Sequence, residues 1–151
     1  MATGADPWLA ADWPAPSGVT AFTTLRRGAG VSAPPFDSFN FGLNSGDDPA
    51  AVQRNRDALV ALGRLPTAPR WLRQVHGTVV AKADPAVVIE ADGNWTATPG
   101  IACTAMTADC LPALFCDRAG TRVAAAHAGW RGLAGGVLEA TVQALNVAPQ
   151  E

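Results

Sequence analysis

The chain has 151 residues, 48% of them apolar and 16% charged, with a net charge of -2. That length and balance suit one folded domain burying roughly 68–70% of its unfolded surface, and they exclude a disordered chain. No run of five basic residues occurs, and no apolar stretch approaches the ~20 residues that cross a bilayer, so neither nucleic acid nor membrane is expected as a partner.

Residues 1–17 read as an N-terminal extension. Acids and prolines stand where a signal peptide needs a basic start and an apolar run, so a cytoplasmic location is expected. Pro14 and Pro16 interrupt any regular element there. From residue 18 to 151 the pattern is that of one domain. Gly18 to Leu25 is β-branched and aromatic and predicts a strand. Arg26 to Asn44, with Gly28, Gly30, Pro34 and Pro35, predicts a long loop. Asp48 suits a helix N-cap, Pro49 the first helical position and Gly63 the end, so a helix is predicted between them.

Trp71 to Ala81 predicts a hairpin turning near His76-Gly77, and Ala86 to Glu90 a short strand. Asp92 to Gly100 is turn-rich. Ile101 to Thr107 and Leu111 to Cys116 predict two strands joined by Ala108-Asp109-Cys110. Arg122 to Ala126 predicts a strand of small residues, Gly129 to Gly136 a glycine-rich turn, and Val137 to Leu145 a helix. Strands outnumber helices in irregular order, which gives an α+β fold with a mixed sheet and flanking helices. The ending NVAPQE follows a helix directly, where a further strand is the usual sequel, so a fragment of a longer protein is expected.

Cys103, Cys110 and Cys116 are odd in number and form no Cys-x-x-Cys pair, which argues against a disulfide framework. Cys103 and Cys116 lie inside apolar runs and read as buried thiols, whereas Cys110 lies at a break between runs beside Asp109. Only two histidines are present. His127 ends a run of alanines and precedes glycines and a helix, an arrangement that points a side chain into a crevice. The helix start after it attracts anions, and Arg131 adds charge there. The competing reading is a core histidine satisfied by a carbonyl. His76 sits at the turn beside Gly77, where an exposed turn residue is the plain alternative.

His76, Cys110 and His127 together supply the ligand count of a catalytic zinc, three protein donors with a fourth position open. Spacing alone does not bring them together. Asp92 and Asp109 are candidates for orienting a ligand or transferring a proton, although such acids commonly cap turns.

Four motifs carry a resemblance: NFGLNSGDDPAAVQRNR from Asn40, QVHG from Gln74, TADCLPALFCD from Thr107 and HAGWRGLAGG from His127. In order and spacing they resemble the YfiH family, long labelled multicopper polyphenol oxidase or laccase-domain proteins. The resemblance implies an α/β arrangement like that of toxin deamidases. It implies a zinc site at His76, Cys110 and His127, phosphorolysis of adenosine, inosine, guanosine and methylthioadenosine, and deamination of adenosine. Editing of a cytoplasmic peptidoglycan precursor is a further activity of that family. Purine nucleoside and phosphate are then the partners, with Arg131 near phosphate and Asn40 reaching substrate from the long loop. Family members extend past the position of Glu151, so their C-terminal third has no counterpart here.

Three other readings compete. Cys110 could be a nucleophile with His127 as its base, in an amidohydrolase. A truncated relative could keep the metal and lose turnover. True laccase chemistry needs many more imidazoles than two, so copper is the less expected ion.

Overall fold

The structure is a computed structural model that describes residues 6–148. The chain forms two compact units, one of residues 6–13 and 20–65, the other of residues 14–19 and 66–148.

In the first unit, strand β1 (Trp8–Ala10) pairs antiparallel with β2 (Phe22–Thr24), and the Trp8 and Phe22 rings lie 5.1 Å apart. β1 falls in the stretch that prolines were expected to keep irregular; it ends before both of them. Helix α1 (Pro49–Leu62) begins at an Asp48 N-cap whose carboxylate accepts the Ala50 N–H, and ends at Gly63. It buries Val52, Leu59 and the polar Asn55. Asn55 holds the long loop: it accepts the Val31 N–H and donates to Ser32 Oγ and to the Ser38 and Asn40 carbonyls.

The second unit is built on a four-stranded sheet in the order β4 (Val80–Lys82), β6 (Gly93–Thr96), β8 (Val123–Ala128), β7 (Leu111–Cys116). β4 and β6 are parallel; the other pairs are antiparallel. A separate parallel pair joins β3 (Leu72–Arg73) to β5 (Ile89–Glu90). Two helices, α2 (Trp130–Gly135) and α3 (Val137–Leu145), follow β8. The fold is therefore α+β with a mixed sheet and flanking helices.

Strand alternation divides β8. Ala126 and Ala128 pack with Val137 and Leu138 of α3 and with Ala113 and Phe115 of β7. Ala125 and His127 point to the opposite face. Alanine keeps α3 close to the sheet.

Four local expectations are corrected. Residues 71–81 are not a hairpin, because β3 and β4 take different partners and the amides between them bond to a side chain. The turn-rich stretch from residue 92 contains β6, an interior strand. Its sequence GNWT looks like loop because Asn94 and Thr96 are polar, yet both are buried and satisfied, Asn94 by the Arg70 carbonyl and Thr104 N–H. Residues 101–107 make only one bridge, Arg70 to Cys103, and the Thr104 and Met106 N–H groups go to the side chains of Asn94 and Gln74 instead of to a neighbouring strand, so no strand forms. The glycine-rich stretch 129–136 forms α2, closed by Gly136 at φ 96°, where a left-handed cap favours glycine.

Candidate metal centre

Three separate segments of the second unit bring His76, Cys110 and His127 together, with one ligand atom from each lying within 4.8 Å of the others. His127 comes from the end of β8 and is 3% exposed. Cys110 stands immediately before β7, the strand paired with β8, so the start of one strand lies beside the end of the other. His76 comes from the turn between β3 and β4, where its backbone takes φ 60°, a left-handed conformation uncommon for a residue with a side chain. The two imidazole rings meet edge to face, centroids 4.8 Å apart.

Asp92 organises two of these three. It is fully buried just before β6. Its Oδ1 lies 2.8 Å from His127 Nδ1 and accepts the His76 N–H at 2.9 Å. Its Oδ2 accepts the N–H groups of Val75 and Gly77. One carboxylate thus closes the turn that carries His76 and sets the His127 ring, whose Nε2 is left for another partner when Nδ1 carries the proton. Burial alone would raise the Asp92 pKa, but the His127 contact and the three amides outweigh it and the net shift is downward. Gln74 ties the approach to His76 to the approach to Cys110, donating to the Met106 carbonyl and accepting the Met106 N–H, both at 2.7 Å.

The Cys110 thiol lies 3.7 Å from Asp109 Oδ1. Burial, then the Asp109 charge, push its pKa up, so without a cation nearby the thiolate is disfavoured. Arg131, in the first turn of α2, is exposed and sits over the Trp130 ring at 5.4 Å. Asn40 belongs to the first unit, where its amide donates to Ser45 Oγ and Asp47 and its carbonyl accepts the Gly42 N–H, closing the loop. Cys103 and Cys116 are free thiols away from the cluster's ligand set, and burial, helped by Asp84, pushes Cys103 up to about 12.

One residue of the cluster was not singled out from sequence. A Cβ placed on Gly129 would lie 3.0 Å from Cys110 Sγ, 3.1 Å from His76 Cδ2 and 3.7 Å from His127 Cε1. In sequence it is one of several glycines in its stretch, and nothing local separates it from the others. Two imidazoles, a sulfur and a buried carboxylate behind one imidazole make a donor set that can hold a metal ion.

Known proteins match this chain closely. A purine nucleoside phosphorylase of Pseudomonas aeruginosa is 62% identical over 144 residues, covering 95% of this chain and 58% of the relative. The Escherichia coli protein named purine nucleoside phosphorylase YfiH is 57% identical over 132 residues, covering 86% of this chain and 54% of its own length. A crystal structure of a Neisseria meningitidis protein superposes with a TM-score of 0.89 at 51% identity, over 95% of this chain and 59% of that one. The chain thus spans somewhat more than half the length of these relatives. The model of the family described as multi-copper polyphenol oxidoreductase laccase matches residues 20–151, and the chain belongs to that family, the YfiH-like proteins.

Proposed function

We propose that this chain carries the metal centre of a zinc-dependent purine nucleoside phosphorylase, with His76, Cys110 and His127 as ligands. The observation that carries the reading is the convergence of those three side chains, with His127 Nδ1 already engaged by Asp92. Two imidazoles and a thiolate suit zinc and leave its fourth position open. From zinc's bond lengths, tetrahedral donors stand roughly 3.3–3.8 Å apart. The widest pair here, at up to 4.8 Å, closes by about 1 Å on binding, and the exposed His76 can supply that movement. The names of the relatives support phosphorolysis.

When bound, the ion supplies Lewis acidity beside the substrate. The chain's own residues do the rest. Asp92 fixes the ring of His127 and the turn of His76 before substrate arrives. Asp109, beside Cys110, is the candidate for proton transfer, and Arg131 for attracting phosphate. Phosphate attack on the ribose carbon of inosine or guanosine releases the free base; deamination of adenosine is the second activity this reading includes.

The test is direct. Metal-replete protein, incubated with inosine and phosphate, should release hypoxanthine, and one zinc per chain should be found by elemental analysis. A folded, zinc-loaded sample that releases none counts against the activity; a sample that binds no metal counts against the centre itself.

One observation favours a second reading. Asp92, His127 and Cys110 also form the acid–base–nucleophile order of a cysteine hydrolase. That chemistry has no use for a second imidazole at the same point. Alkylation of Cys110 that zinc blocks favours the metal; alkylation indifferent to zinc favours the nucleophile.

A further inference from the structure

We infer that Gly129 is a positioning residue for the metal, acting through the side chain it lacks. The inference rests on the reading that His76, Cys110 and His127 hold an ion. Three explanations for a glycine at 129 can be separated. The first is backbone conformation, but φ −67° and ψ 164° are open to any residue. The second is helix capping. Residue 129 is the N-cap of α2, where glycine ranks with threonine but supplies no side-chain acceptor, and serine, aspartate or asparagine would cap the helix better. The third is space. A methyl at 129 would stand 3.0 Å from Cys110 Sγ and 3.1 Å from the His76 ring, two of the three candidate ligands. Capping tolerates glycine without calling for it, whereas the third disfavours any Cβ. The bare Cα lets sulfur and imidazole approach one point, and a side chain there holds them apart.

Gly135 supplies a control on the same helix. Its Cβ would meet Thr78 Cγ2 at 2.9 Å, closer than either contact at 129 and against a β-branched side chain that cannot simply swing aside, while none of the three ligands lies within 4 Å of it. Crowding of α2 on the adjacent turn is thus tested without touching the cluster.

The experiment uses the whole chain and zinc itself, with affinity measured by competition against a chromophoric chelator. Gly129→Ala and Gly129→Ser should each weaken zinc binding at least about tenfold. Gly129→Ser should at the same time keep or raise the melting temperature of the metal-free protein, because serine restores the missing cap. Gly135→Ala should keep zinc affinity within about threefold of the parent. With cobalt in place of zinc at equal loading, the sulfur-to-metal charge-transfer band of the parent should fade or shift in both 129 variants. Parent-like affinity and an unchanged band in Gly129→Ala overturn the inference. So does an equal loss in Gly135→Ala, which means general crowding. Metal-free melting lowered by more than about 10 °C in both 129 variants overturns it in favour of a purely structural role. A parent protein that takes up no zinc overturns the metal reading together with this inference, whereas a parent that binds zinc but leaves inosine intact overturns only the phosphorylase reading.

Discussion

Replacing Asp92 by asparagine separates the two jobs of that carboxylate. The side chains have the same shape, but one acceptor oxygen becomes a donor. If the new amide nitrogen takes the place of Oδ1, it faces the His76 N–H and His127 Nδ1. His127 must then shift its proton to Nε2, which no longer offers a lone pair to a metal ion. If it takes the place of Oδ2, the Val75 and Gly77 N–H groups lose their acceptor. The second orientation forfeits two hydrogen bonds to a charged, fully buried group; the first forfeits one and turns the other into a neutral amide-to-imidazole bond. At about 1.5–3 kcal/mol each, the loss is about 1.5–6 kcal/mol, against the 5–15 kcal/mol that holds a domain folded. Metal affinity should fall about 10–100-fold, the usual cost of removing the partner of a ligating histidine. Urea unfolding of the metal-free protein gives the first number and chelator competition the second. Asp92→Asn with stability within about 1 kcal/mol of the parent and unchanged zinc affinity would refute the assignment of these contacts.

His76→Gly should abolish metal binding yet stabilise the metal-free protein by up to about 1 kcal/mol, since glycine accepts φ 60° without strain; a lower urea midpoint contradicts this. Asn55→Ala leaves the Val31 N–H, Ser32 Oγ and two carbonyls without their shared partner, and should cost about 2–4 kcal/mol by the same denaturation assay. Acid should weaken the fold in a defined window. Asp92 and Asp117 both have folded pKa values below the ordinary 3.8, in Asp117 because Thr121 and the amides of residues 121 and 122 outweigh its burial. Stability from such groups is complete above 3.8 and is lost as pH falls through the lower folded values, so melting temperature should drop there. Asp92→Asn should drop less steeply over that interval.

The parts of the fold legible in sequence are those whose cause is local. Asp48, Pro49 and Gly63 bound α1 by chemistry contained within a few residues. The run from Leu111 to Cys116 and the alanines before His127 announce strands through composition alone. What failed depends on partners far along the chain. Alternation in Trp71 to Ala81 signals extended backbone but cannot say that each half joins a different neighbour in parallel. β6 hides because its polar residues are satisfied by Arg70, Asp84 and Thr104, none of them adjacent. Conversely, 101–107 has the composition of a strand, but the side chains of Asn94 and Gln74 take its amides. The same division holds at the centre. The unusual surroundings of His127 and Cys110 are visible in sequence, whereas the distances joining them to His76 and Asp92 are a product of tertiary structure.

The alanines of β8 also bear on how this sequence can vary. Ala124, Ala125, Ala126 and Ala128 are each at most 3% exposed, so neither side of the strand has room for growth. A mutational library should therefore tolerate only glycine or serine along this segment. Enlargement on one side would lift α3, and on the other would tilt the imidazole at the strand's end. Substitutions that this fold accepts should therefore fall on its loops before they fall on this strand.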